Sequence, residues 1–278
     1  MANKVVLTAA LTGAVTPKEI APYIPITPAE IAEDAYKCWK AGASVVHLHM
    51  RDDEGLGTMD KYKFKETIDR IRDKCDVVIN VTTAGDHRAT DDQRMEHLAF
   101  VQPEIASFDA GSFNWMPGGV FVNSPQFLSK LGSTMLELGI KPEIEIFDSG
   151  MIHACKYYLE KGHLAAPMHF QLVLGVLGGA MATVEDLVYL KSLLPKDSTW
   201  SAFGIGRAHL PILMSTLAMG GNIRVGLEDN VYYKKGVHAT NVSLVERAIR
   251  IINEADKAVA TPDEARELLG LKKDKLDF

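Results

Sequence analysis

Between residues 5 and 230 the chain repeats one unit about eight times: a short β-branched or apolar run, a polar break, then a stretch of helical periodicity. The strand-like runs are 5–11, 45–50, 77–82, 105–108, 142–147, 168–173, 199–203 and 222–226. Helical stretches follow at 28–40, 59–74, 91–100, 124–138 and 151–161, then after Thr183, after Gly206, and at 241–258. Thr27-Pro28-Ala29-Glu30 carries a cap, a proline at the first helical position and a capping-box glutamate. Strand–helix alternation of this kind builds a parallel sheet. Eight units in 278 residues fit a closed barrel better than an open sheet. The expected fold is therefore α/β, a (β/α)8 TIM barrel. It forms a single domain over 1–278 with a short C-terminal helical extension capped at Thr261.

Composition narrows the function classes. The formal charge of −6 comes with no basic block, which argues against nucleic acid as a partner. Cys38, Cys75 and Cys155 are scattered and odd in number, which suits a reducing compartment better than a disulfide framework. The start has no signal-peptide plan, and the longest apolar run, 170–182, holds three glycines and is too short to span a bilayer. A cytoplasmic protein with no membrane partner is expected.

In such barrels the reactive residues sit where strands end and βα loops begin. His47 and His49, two apart on the second strand, point to one side. Two imidazoles there are either two ligands of a divalent metal or hydrogen-bonded core residues. Glu228, after the last strand, is the best third ligand, since the closing strand lies beside the first. Two histidines and a carboxylate with an open position suit catalytic zinc, with Mn or Fe(II) also fitting. Arg224 shares the parity of Glu228 and would orient the neighbouring Asp229 as a base, or form a structural ion pair with it. The hydroxyls of Thr82, Thr83 and Ser107 either hold a substrate carboxylate or cap helices. Gly204-Ile205-Gly206-Arg207 occupies the usual phosphate position of these barrels, or is a plain tight turn. Glu143 and Glu145 share one strand face. His169 has no evident partner, and His153, His163 and His209 are expected in solvent.

Several motifs occur together in order: Leu-Thr-Ala-Ala-Leu-Thr-Gly (7–13), Pro-Ile-Thr-Pro (25–28), Val-His-Leu-His-Met-Arg (46–51), Thr-Thr-Ala-Gly (82–85), Pro-Glu-Ile-Glu (142–145), Gly-Ile-Gly-Arg (204–207) and Arg-Val-Gly-Leu-Glu-Asp-Asn (224–230). In this set the chain closely resembles the β-keto acid cleavage enzymes. The resemblance implies a zinc-bearing barrel, usually a homotetramer, that condenses a β-keto acid with acetyl-CoA to give acetoacetate and a new acyl-CoA. It implies His47, His49 and Glu228 as zinc ligands. Asp229, helped by Arg224, would take the proton from C2 of the keto acid. Thr82, Thr83, Gly85, Ser107, Glu145 and Val15 are then expected at the substrate, and Gly204, Gly206 and Arg207 near CoA phosphates. Zinc on the β-keto oxygen would acidify C2 as a Lewis acid.

One position departs from the family pattern. Members acting on an amino-substituted keto acid carry a glutamate where this chain has Val15. Valine cannot balance a buried ammonium, so an uncharged substrate tail is expected, although Glu143 or Glu145 offers a negative charge. Rival readings are a zinc hydrolase on the same barrel, a metal-dependent aldolase or acyl-CoA lyase, and a binding protein with structural zinc. An amidohydrolase-type site would place its His-x-His on the first strand, with a bridging lysine or further histidines on strands four to six; here the His-x-His is on the second strand and the run 105–108 offers no lysine.

Overall fold

The computed structural model describes residues 3–271. Eight parallel strands close into a barrel in sequential order. They are β1 (Leu7–Ala10), β2 (Val45–Leu48), β3 (Val78–Val81), β4 (Ile105–Asp109), β5 (Lys141–Ile146), β6 (His169–Leu174), β7 (Thr199–Gly204) and β8 (Asn222–Val225). Each is followed by a helix: α1 (Pro28–Ala41), α2 (Lys61–Arg72), α3 (Gln93–Val101), α4 (Pro125–Leu138), α5 (Ser149–Glu160), α6 (Val184–Leu193), α7 (His209–Ala218) and α8 (Asn241–Glu254). A short α9 (Pro262–Leu269) ends the described chain. The Thr27–Glu30 capping box forms as expected.

Period-2 alternation decides which side chain faces which layer. Leu7, Val46, Ile79, Phe108, Ile144, Phe170 and Ala202 are buried against the helices. The other parity faces the barrel axis and is polar in its middle layers, with Val45, Val78 and Ile105 at the N-terminal end and Val173 and Phe203 near the mouth. Glu143 stands in register with Ser107 on one side and His169 on the other, and Glu145 with Asp109 and Gln171. Arg224 pairs with Thr8, and His47 with Ala10 and Asn80. These axial groups bond one another: Asn80 Nδ2 donates to Glu143 Oε1 at 2.7 Å, and Ser201 Oγ to Gln171 Oε1 at 2.6 Å. The barrel therefore has an apolar sleeve and a hydrogen-bonded polar interior.

At the N-terminal end Lys4–Val5 pairs in parallel with Ala258–Val259. Ala260, Ala265 and Leu269 then pack on Val6, Val45, Val78 and Ile105, which seals that mouth. The pairing also shortens the expected 241–258 helix to end at Glu254, since Ala258–Val259 is drawn off as a strand and Asp256 turns at φ +54°. After β4 the chain forms a hairpin, Phe113–Trp115 against Gly119–Phe121, folded over the opposite mouth. His209, expected in solvent, is buried at the start of α7.

One buried amide ties the closing strands together. Asn241, first residue of α8, accepts the Leu227 N–H at 2.8 Å. It donates to Leu11 O at 2.9 Å and to Asp34 Oδ2 on α1 at 2.6 Å. Removing it leaves buried backbone groups unpaired, so Asn241→Ala is expected to lower urea-unfolding stability by roughly 2–4 kcal/mol. Asn241→Asp keeps the Leu227 acceptor but sets a second carboxylate against Asp34, and should cost about as much. Wild-type stability in both variants would show that this tie contributes nothing.

Candidate active site

The C-terminal mouth of the barrel holds a cavity of about 180 Å³ lined by His47, His49, Thr82, Ser107, Asp109, Glu145, Arg224, Glu228 and Asp229. Its outer wall is apolar: Val15, Phe113, Trp115, Phe121, Phe147, Val173, Phe203 and Ile205. The wall is an aromatic cluster. Phe113 stacks on Phe147 at 4.5 Å between centroids, and Phe121 meets Phe113 and Trp115 edge-on at 5.5 and 6.4 Å.

Glu228 reaches the cavity because β8 ends in a tight turn. Gly226 has φ +150°, and a Cβ there would collide with Ala10 O, so only glycine lets the turn lie against β1. Glu228 Oε1 then lies 3.6 Å from His47 Nε2 and 3.4 Å from His49 Nε2. Ligand atoms of the three residues all fall within 4.8 Å of one another. Two atoms bound about 2.0–2.1 Å from one tetrahedral ion stand about 3.4 Å apart, so this spacing suits a shared divalent metal. Glu228 Oε2 is buried with no hydrogen-bond partner among the described residues. Burial pushes His47 down to about 4, which leaves it neutral at pH 7 and able to ligate.

Arg224 organises the acids. Its Nε and Nη2 form a fork on Asp229, at 2.9 and 3.0 Å, and Nη2 also donates to Glu228 Oε1 at 2.7 Å. Nη1 lies 3.3 Å from Glu145 and 4.0 Å from Glu143, and the guanidinium stacks on Phe203 at 4.3 Å. Burial opposes ionisation of Glu228, yet His49, His47 and Arg224 hold it well below its ordinary value. Burial raises Asp229 to about 6 against the pull of Arg224, which places a base near neutrality. Burial and the neighbouring Asp109 push Glu145 well above its usual range. Burial works to raise Glu143, but the bond and charge of His169, together with His47 and Arg224, lower it to about 2. That gives His169 its partner, with Thr199 Oγ1 on its other nitrogen at 2.9 Å.

The remaining expected site residues divide. Thr82 and Ser107 line the cavity. Their oxygens accept the Ala84 and Thr83 N–H groups at 3.0 Å, which leaves each hydroxyl proton free to donate. Thr83 is buried behind them and donates to Ser107 O, so its hydroxyl serves the backbone. Gly85 backs against Gly57 and Met59 away from the cavity lining. Val15 stands at the rim, 62% exposed, on a loop held by Arg51, which donates to the carbonyls of Thr12, Gly13 and Thr16. Gly204 is a packing glycine against Ile212 and Ala208, and the Gly206 N–H donates to Asp229 O at 3.2 Å. The Gly206 N–H is therefore already engaged, whereas Arg207 is exposed. The aromatic hairpin was missed in the sequence. Its signal was the spacing of Phe113, Trp115 and Phe121 about Pro117-Gly118-Gly119, a turn between alternating aromatics.

The chain is similar to known proteins along nearly its whole length. The model of the beta-keto acid cleavage enzyme family matches residues 4–271. A 3-keto-5-aminohexanoate cleavage enzyme of Fusobacterium nucleatum subsp. nucleatum is 44% identical over 275 residues, covering 98% of this chain and 100% of that protein. A 3-dehydrocarnitine:acetyl-CoA trimethylamine transferase of Rhizobium meliloti is 36% identical, covering 98% of each. Among solved structures, apo ObcA superposes with a TM-score of 0.81 at 22% identity, covering 90% of this chain and 66% of that one. The last similarity shows the fold alone.

Removing Arg224 would leave its carboxylate partners buried without a counter-charge. Arg224→Leu is expected to lose about 3–5 kcal/mol of unfolding free energy. Arg224→Lys should lose less, since it keeps the charge but not the fork. If both variants unfold like the wild type in urea, the network carries no stability.

Proposed function

Because the chain belongs to the β-keto acid cleavage enzyme family, we propose that it condenses a β-keto acid with acetyl-CoA, using zinc held by His47, His49 and Glu228. The products are acetoacetate and the CoA thioester of the remaining acyl fragment. The observation that carries this reading is the convergence of that ligand triad and the Arg224–Asp229 fork on one cavity. When bound, the metal supplies Lewis-acid polarisation of the β-keto oxygen. Asp229 takes a proton from C2, and Arg224 holds the carboxylate in place for it. The C2 carbanion attacks the thioester carbonyl of acetyl-CoA and expels the CoA thiolate. That thiolate adds to the original ketone carbon, and the C2–C3 bond breaks to release acetoacetate after protonation. Thr82 and Ser107 have free hydroxyl protons for the substrate carboxylate. Arg207 offers a positive charge for the phosphates of CoA. The apolar surface of Leu177, Met181, Val184 and Val188, all exposed, supports self-association, with a homotetramer as the family form. No helix among the described residues is long and apolar enough to cross a membrane.

The tail of the keto acid is proposed to be uncharged. Val15 and the aromatic wall surround the outer cavity, and an ammonium desolvated there would lack an ionic partner. Simple 3-oxo acids are thus expected to turn over faster than the 5-amino-substituted acid named for the Fusobacterium relative, and Val15→Glu should narrow or reverse the order. Faster turnover of the amino compound by the wild type would sink this assignment.

Two measurements test the reaction itself. With acetyl-labelled acetyl-CoA and a panel of β-keto acids, acetoacetate should carry the label, and loss of keto acid without acetyl-CoA would overturn the proposal. His47→Ala and His49→Ala should each lose bound zinc by elemental analysis, while Asp229→Asn should keep the metal and lose roughly a hundredfold to ten-thousandfold in kcat. Unchanged zinc in the histidine variants would exclude the triad.

A further inference from the structure

Behind the active-site mouth lies a second, open groove of about 810 Å³, walled by the start of α7, by α8 and by the hairpin Tyr232–Lys234/Val237–His238. In a chain of net charge −6 this groove is basic. Arg207, Lys234, Lys235 and Arg247 line it. Among the described residues none of the four has a carboxylate partner, so their charge is not neutralised within the protein. Arg247 stacks on Tyr233 at 4.1 Å and donates Nη1 to Tyr233 O, while its Nε and Nη2 are buried without partners. Four cations without carboxylate partners around one groove favour an anionic ligand there. At the groove's edge Tyr232 stacks on His238, with ring centroids 5.0 Å apart and planes at 25°, and the residue is 45% exposed. A flat, accessible ring beside unpaired cations suits a base joined to phosphates.

The groove and the catalytic cavity share one wall. Ile205 and Asp229 line the cavity, and the next residues, Gly206 and Asn230, line the groove. The Gly206 N–H to Asp229 O bond staples the two segments together. A ligand reacting beside Asp229 can therefore rest its remote end in the groove by passing over this staple.

We propose that this groove is the seat of the nucleotide end of acetyl-CoA. Lys234, Lys235, Arg207 and Arg247 meet its phosphates, and Tyr232 supports its adenine. The inference rests on the acetyl-CoA reaction proposed above and assigns the anion-binding charge to the hairpin and α8 rather than to the N–H groups of the 204–206 turn. Lys234 and Lys235 are exposed, so substituting them leaves the fold intact.

The test titrates adenosine 3′,5′-bisphosphate into the wild type and into Lys234→Gln/Lys235→Gln by calorimetry. Lys65→Gln, on a distant helix, serves as control. The double variant should bind the bisphosphate at least about tenfold more weakly, and wild-type binding should weaken as salt rises. In turnover, the double variant should raise KM for acetyl-CoA with kcat and the keto acid KM unchanged. Tyr232→Ala should weaken the bisphosphate but not inorganic pyrophosphate. Equal affinity in wild type and double variant, or equal loss in the control, would overturn the site. If label transfer to acetoacetate persists with an unaltered KM for acetyl-CoA, this inference fails and the reaction stands. If the lysines govern nucleotide binding but no label moves, the reaction fails and the groove stands.

Discussion

Arg224 lies inside the barrel with its guanidinium facing Asp229, Glu228, Glu145 and Glu143, and the arrangement of the mouth follows from that. Four carboxylates around a single guanidinium would be unstable in a low-dielectric interior if all were ionised and unaided. The structure relieves the surplus in different ways. Glu143 is answered by His169. Glu145 is pushed toward its neutral form by burial and Asp109. Glu228 turns toward two imidazoles that are close enough to share a cation with it. Asp229, held by the fork, is raised by its burial to about 6. The division of labour among chemically similar groups is thus an outcome of how one positive charge is distributed.

Strand register makes that distribution possible. Glu143 and Glu145 are two apart on β5, so both face the axis, and the same parity places Ser107 and Asp109 on β4 beside them. Ile144 and Ile146, the alternate residues, join the sleeve under the helices. A one-residue slip would exchange the two sets and bury four polar groups among apolar side chains. The apolar sleeve therefore enforces the active-site geometry, and the Asn241 tie does the same where β8 meets β1.

How much of this was legible in the chain depends on the range of the interaction. His47 and His49 were readable as a pair because a strand's period is local, and Glu228 followed from barrel closure. The Arg224–Asp229 fork lies within one strand end and was readable too. The aromatic wall was not, because Phe113, Trp115 and Phe121 acquire a common face only after the hairpin folds back onto Phe147. Thr83 and Gly85 belong to a motif whose members look equivalent in sequence. Only hydrogen-bond partners distinguish Thr82, which lines the cavity, from Thr83, whose hydroxyl is taken by Ser107 O. Gly206 illustrates the same limit, since the fate of its N–H depends on Asp229, more than twenty residues away.

The polar interior and the apolar rim also set what kind of chemistry suits the mouth. A carbanion formed deep in the cavity sits among fixed donors and a buried arginine, where electrostatic stabilisation needs no solvent reorganisation. The rim is built of rings and Val15, so it discriminates by shape and desolvation instead of by charge. In the proposed reaction one end of the substrate would be held by groups common to any β-keto acid, and the other would meet a wall set by one loop residue and one hairpin. The names of the relatives describe different tails, an amino-substituted hexanoate and a dehydrocarnitine. The polar groups of the cavity thus sit on strands whose register the sleeve locks, while its rim is built from segments that the barrel does not constrain.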